Sequence, residues 1–187
     1  MQNSQTKRLF IALNLPLNIK KYLADLLPLL SKNNQGVKWV NYDGLHLTLH
    51  FLGYLNNRLS EEVINIMQTI SGKFGEIEFN FKEIGAFPDL IKPRVIFLAG
   101  EQVESKSVFK LQELLGQELA KIGISIDRRA WKLHITLGRV KIQNFNLRLP
   151  PDFKIEPLNF KVSNFELMES ELRPTGAAYT VIKSFKI

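Results

Sequence analysis

The sequence predicts an α+β fold in which antiparallel sheets carry helices on their outer faces and the plan is built twice. Three observations support this. Two of the three histidines open the same tetrapeptide, His46-Leu47-Thr48-Leu49 and His134-Ile135-Thr136-Leu137. At this composition a chance recurrence runs well below roughly one in a thousand. Each tetrapeptide closes a strand, helix, strand series of similar length, with 38 positions from Arg8 to His46 and 40 from Arg94 to His134. Strand-like and helix-like periods alternate with no low-complexity run and no linker long enough to part independent domains, so residues 1–187 are read as one domain of two pseudo-symmetric lobes.

The elements follow in order. Arg8 to Leu13 reads as a short strand, and Asn18 to Leu30 has helix-period apolar positions at Ile19, Leu23, Leu26, Leu27 and Leu30, with Pro28 placed to kink or end the helix. After the Asn33-Asn34-Gln35-Gly36 turn, Val37 to Val40 suits a strand. Leu45 to Leu52 is a clearer one, ended by Gly53. Ser60 is the expected N-cap of a helix whose apolar face is Val63, Ile64, Met67 and Ile70, with Glu61 and Glu62 favoured in its first turn by the helix dipole. Ile77 to Ile84 alternates as a strand wet on one face. The second half repeats the plan with a strand at Arg94 to Leu98, a helix from about Ser105 to Ile122 and the second histidine strand at Leu133 to Leu137. Late strands are expected at Leu158 to Met168 and Ala178 to Phe185, joined through Arg173-Pro174-Thr175-Gly176.

Composition narrows the chemistry. The chain has 187 residues, 45% of them hydrophobic, and no cysteine, which excludes disulfides, thiolate nucleophiles and cysteine-held metal sites. Met1 to Arg8 is polar and lacks a signal peptide's apolar run, and no stretch is long enough to span a bilayer, so a cytoplasmic protein without a membrane partner is expected. The formal charge of +7 favours a polyanionic partner such as RNA, although the lysines are dispersed and a plain solvated basic surface explains the charge equally well.

Strand parity puts His46 and Thr48 on one face, with Leu47, Leu49 and Phe51 on the other; His134 and Thr136 share a face in the same way. A lone His-x-Thr is most often a half-buried histidine bonded to its neighbour, but duplication reverses that balance. If an approximate two-fold axis relates the halves, both pairs reach one cleft from opposite sides. One imidazole can then take a proton from an attacking water while the other protonates the departing oxygen, and each threonine hydroxyl can donate to a phosphoryl oxygen. An ordinary imidazole pKa of about 6.5 makes both protonation states accessible near neutrality. The residues alone do not say which histidine is acid and which is base. A metal site fits less well: parity adds His50 to the face of His46, but Gly138 stands at the matching place in the second copy, so His50 is expected at the groove edge or surface.

At these residues the chain resembles the 2H phosphoesterase superfamily, in particular the RNA 2',3'-cyclic phosphodiesterases also called 2'-5' RNA ligases, or LigT-like proteins. The resemblance spans nearly the whole chain. It rests on Arg8 to Leu13, Trp39 ahead of His46 to Gly53, Gly85-Ala86-Phe87-Pro88, Pro93-Arg94-Val95, His134 to Val140, and Leu167 through Glu171-Leu172 to Gly176 and Tyr179. It implies a bilobal fold with a central cleft, no metal and no cofactor, and hydrolysis of RNA 2',3'-cyclic phosphate ends, tRNA-like fragments included, to 2'-phosphomonoesters. It makes His46 the proton donor and His134 the acceptor, sets Thr48 and Thr136 on the phosphate, lines the cleft with Phe10 and brings Arg139 to the phosphate. Parity points Arg139 away from His134, so its role requires a bend at Gly138. The chain departs from the family pattern at Leu133, where proline is usual, and at Arg129-Ala130-Trp131, where Arg-x-Phe is usual.

Arg128, Arg129, Trp131 and Lys132 gather charge and an aromatic ring just before His134, a combination suited to phosphate attraction and base stacking, although Trp131 is equally suited to the core. The alternatives are 2'-5' ligation, opening of a small cyclic nucleotide, and a non-catalytic RNA-binding module. A monomer is expected.

Overall fold

Leu9 to Leu13 are buried without a break because β1 (Lys7–Asn14) is an inner strand covered on both faces. The computed structural model describes residues 6–103, 107–127, 129–151, 153–174 and 176–187. Ser105, Arg128 and Thr175, which entered the sequence reading, are outside the described residues. The order after β1 is α1 (Leu17–Lys32), β2 (Val37–Trp39), β3 (His46–Leu55), α2 (Asn57–Ile70), β4 (Ile77–Phe87), β5 (Val95–Gln102), α3 (Ser107–Lys121), β6 (His134–Val140), β7 (Leu158–Val162), β8 (Asn164–Arg173) and β9 (Gly176–Lys186). The strands make two antiparallel sheets, a four-stranded one ordered β3-β1-β8-β9 and a five-stranded one ordered β2-β6-β5-β4-β7. The α+β expectation holds. Among the described residues no helix is long and apolar enough to cross a membrane.

The helices pack through the faces that the sequence marks out. On α1 the buried residues are Ile19, Leu23, Leu26, Leu27 and Leu30, each contributing roughly 1.5–3 kcal/mol by burial. Pro28 neither ends the helix nor faces the core; it is exposed, and α1 runs on to Lys32. The N-cap of α2 is Asn56 rather than Ser60: Asn56 Oδ1 accepts from the Leu59 amide at 3.0 Å, while the Ser60 hydroxyl, inside the helix, donates to the Asn56 carbonyl. Asparagine and serine cap about equally well, so four residues of extra helix decide the matter.

The duplicated strand, helix, strand unit appears as β1-α1-β3 and β5-α3-β6, with the histidine strand beside the leading strand in each sheet. The sheets are completed by exchange. β2, from the first half, pairs with β6 of the second sheet, while β8 and β9, from the end of the chain, complete the first. The single late strand expected at Leu158 to Met168 is therefore two: it breaks at Ser163, β7 pairing with β4 and β8 with β1.

Both histidine strands carry an extra residue at the same place. Thr48 pairs with Ala12 and His50 with Ile11, so Leu49 has no opposite number; Thr136 pairs with Phe97 and Gly138 with Ile96, so Leu137 has none. Such a bulge shifts every later side chain to the other face. His50 is thus turned with Ile11 into the interior, correcting its expected place at the groove: it is 5% exposed, and its Nε2 bonds the Gln112 carbonyl of α3 at 2.7 Å. Phe51 takes the place that parity gave His50. β3 also passes through Gly53, whose φ of +77° marks a second irregularity, instead of stopping there.

Candidate active site

The faces of β1 and β5 that bear Ala12 and Phe97 carry the threonines of their partner strands, and β3 packs against β6 across the gap between the sheets. His134 acts on His46 there: its imidazole is the last among the groups that disfavour a charge at 46. Thr48 and Thr136 are half-buried, and among the described residues neither hydroxyl has a hydrogen-bond partner, so both are available to a ligand.

Each imidazole is held by two aromatic rings. His46 stands 4.9 Å from Phe10 and 5.2 Å, edge-on, from Tyr179 of β9. His134 meets Phe87 at 5.0 Å and Phe97 at 5.3 Å, both edge-on. The Phe97 ring occupies space above Gly85, where an added Cβ would come within 2.5 Å of it. That close approach gives Gly85 a physical reason to lack a side chain.

The surroundings then diverge. His46 is 8% exposed; burial first, and the Lys20 ammonium second, lower its pKa to about 4. The Asp43 backbone opposes this, but Nδ1 has no partner at hydrogen-bond geometry, so that support is weak. Lys20 is anchored nearby, 3.2 Å from Asn14 Oδ1, and Asn14 is the cross-strand neighbour of His46. His134 is more open. Its pKa is also lowered, by burial first and against the pull of the Lys132 carbonyl, with the Arg139 guanidinium adding to the fall. Its Nδ1 donates to the Lys132 carbonyl at 2.7 Å, which leaves Nε2 as the lone-pair nitrogen of the neutral ring.

The other expected site residues divide. Arg139 reaches the cleft face, through the bulge at Leu137 rather than a bend at Gly138, and pairs there with Val95. Phe10 lines the cleft but is 1% exposed, so it backs His46 and has no open face for a base; Phe51, 54% exposed and 6.0 Å from Phe10, has one. Trp131 is half-buried, edge-on to Phe109 of α3, and its Nε1 donates to the Thr48 carbonyl at 3.1 Å, joining the segment before β6 to the first sheet. Arg129 is exposed and bound to Asp127, with Nε 3.0 Å from Oδ1, away from the histidines' contacts. Among the described residues no three His, Cys, Asp or Glu side chains are grouped as metal ligands. The sequence reading assigned no role to Phe51, Phe87, Phe97, Gly85 or Lys20. Gly85-Ala86-Phe87 did stand out as a motif, but nothing local tied it to His134.

Known proteins share this fold and sequence pattern. A family model described as LigT-like phosphoesterase matches residues 13–97 and 101–179. The chain is 33% identical over 177 residues to the RNA 2',3'-cyclic phosphodiesterase of Thermotoga maritima, covering 94% of this chain and 92% of that one. It is 29% identical to the enzyme of the same name from Methanocaldococcus jannaschii, over 95% and 99% of the two chains. A Thermus thermophilus crystal structure matches with TM-score 0.79 at 28% identity, over 96% of this chain and 97% of that one. Escherichia coli LigT in complex with 3'-AMP shares the fold with TM-score 0.78 at 22% identity, over 98% and 99%.

Proposed function

This chain belongs to the LigT-like phosphoesterase family, and from that premise we propose that it hydrolyses 2',3'-cyclic phosphate ends of RNA to 2'-phosphomonoesters. The observation that carries the reading is the pair of His-x-Thr faces on strands packed against each other, each with a threonine hydroxyl that no described residue engages. His134 acts as the base, because its Nδ1–H is committed to the Lys132 carbonyl and Nε2 offers its lone pair. A water loses its proton to that nitrogen as its oxygen bonds phosphorus. The bond from phosphorus to the 3' oxygen breaks, and His46 supplies the proton that oxygen takes up. Thr48 and Thr136 donate to the non-bridging oxygens, where negative charge builds, and Arg139 adds a cation.

A donor at His46 must be protonated, whereas its pKa in the free protein is about 4. The bound phosphate resolves this: an anion against the ring favours its charged form and offsets burial and Lys20. No metal takes part in this scheme. Incubating the protein with a short oligoribonucleotide ending in a 2',3'-cyclic phosphate in EDTA, from about pH 5 to 9 around the imidazole pKa, tests it. The expected product is the 2'-phosphomonoester. No turnover across that range, or turnover only with added metal, defeats the reading.

A further inference from the structure

Arg139 has a cationic neighbour that the reaction above does not use. Lys38 of β2 pairs directly with Arg139 of β6, and Arg139 pairs with Val95 and Val95 with Phe87, so one row across the second sheet reads Phe87, Val95, Arg139, Lys38. The neighbours of Lys38 on its own strand, Val37 and Trp39, are on the opposite face with Gly138, where a Cβ would strike both side chains. Lys38 is therefore on the cleft face. Its row is the one next to that of Thr136, about 7 Å along the strand, and neighbouring strands are about 4.8 Å apart.

Like charges directly opposite each other on a sheet are destabilising. Lys38 and Arg139 are both exposed, and among the described residues neither has an ion-pair partner. Glu83 on the same face is two rows away, opposite Ala99. The sheet edge thus keeps two adjacent unneutralised cations one row beyond the phosphate-holding threonine, an arrangement that a second phosphate relieves. A mononucleotide 2',3'-cyclic phosphate has no second phosphorus; an RNA end has one, in the phosphodiester on the 5' side of its terminal nucleoside.

We propose that Lys38, beside Arg139, forms a subsite for the phosphodiester that precedes the terminal nucleotide, so that the enzyme is specific for RNA chain ends over free cyclic mononucleotides. The inference rests on the phosphodiesterase reading and adds to it a residue that distinguishes an RNA chain end from a mononucleotide. The test compares kcat/KM for cytidine 2',3'-cyclic phosphate and for a short oligoribonucleotide with the same terminus, using the wild-type chain, Lys38→Gln and Lys38→Arg. The wild type favours the oligonucleotide. Lys38→Gln erodes that preference about fivefold and lessens its salt dependence by about one phosphate contact, whereas Lys38→Arg retains both. Equal wild-type kcat/KM for the two substrates, or equal loss on both in Lys38→Gln, overturns the subsite while leaving the phosphodiesterase reading in place. Turnover of neither substrate by the wild type overturns that reading, and the subsite with it.

Discussion

The two histidine strands share a sequence pattern, a bulge at the same leucine and a pair of flanking rings, yet they make two different chemical environments. In the first lobe the ring at His46 is sealed between Phe10 and Tyr179, has no bonded Nδ1 and faces a lysine; in the second, His134 is more open and its tautomer is set by the Lys132 carbonyl. Duplicated backbone supplies symmetry, and the neighbours remove it. Identical imidazoles thereby meet different surroundings, which suit the two proton-transfer roles proposed for them, while the third histidine, one bulge away, is bonded to the Gln112 carbonyl.

The comparison breaks hardest at the rings themselves. His46→Ala or His134→Ala is expected to lower kcat by 10² to 10⁴-fold with circular dichroism unchanged, each removing one proton transfer. Substantial residual activity in either variant takes that histidine out of the mechanism. Next in size is Gly85→Ala, which acts on the second lobe alone. Its methyl displaces the Phe97 ring that stands against His134, and a misplacement of about 1 Å is enough for a loss on the order of 10²-fold; the double variant Gly85→Ala, Phe97→Leu recovers much of it if steric pressure is the cause. Trp131→Phe keeps a ring against Phe109 but deletes the bond to the Thr48 carbonyl, so kcat should fall about fivefold, as befits about 1 kcal/mol, with KM less affected.

Two smaller effects sharpen the contrast. The productive free enzyme has His46 charged and His134 neutral, and both pKa values are below 6.5, so kcat/KM should peak on the acid side of pH 6.5. The kcat optimum is displaced upward, because bound phosphate raises His46. Lys20→Met should raise kcat/KM on the alkaline side of that optimum, since one cation no longer opposes protonation of His46; an unchanged alkaline side would show that burial alone sets its pKa. His50→Leu, by contrast, should leave kcat/KM unchanged and lower stability by roughly 1–3 kcal/mol in thermal unfolding, because it removes the bond to the Gln112 carbonyl.

Much of this was legible before any coordinates. The duplicated His-x-Thr gave both halves, the apolar periods of α1 and α2 gave their buried faces, and parity placed each histidine with its threonine. Parity failed one residue later. A bulge adds a residue without changing composition or period, so parity alone turns His50 and Arg139 to the wrong faces; the family resemblance keeps Arg139 at the phosphate but asks for a bend at Gly138, and only the register of β1 and β5 reveals the shift. The aromatic clamps were hidden for another reason: Phe87, Phe97 and Tyr179 come from strands remote in sequence, and their pairing with a particular imidazole is a property of sheet order. Trp131 was visible as an aromatic near the site, but its indole N–H chose a backbone carbonyl 83 positions away.

The exchange of strands between the sheets has a consequence for the timing of activity. Because Tyr179 of β9 closes on His46, and β8 separates β9 from β1, the cleft acquires one of its walls only after two strands that follow both histidine strands have been synthesised. A nascent chain emerging from the ribosome, surrounded by RNA, therefore carries both histidines well before it carries a finished enzyme.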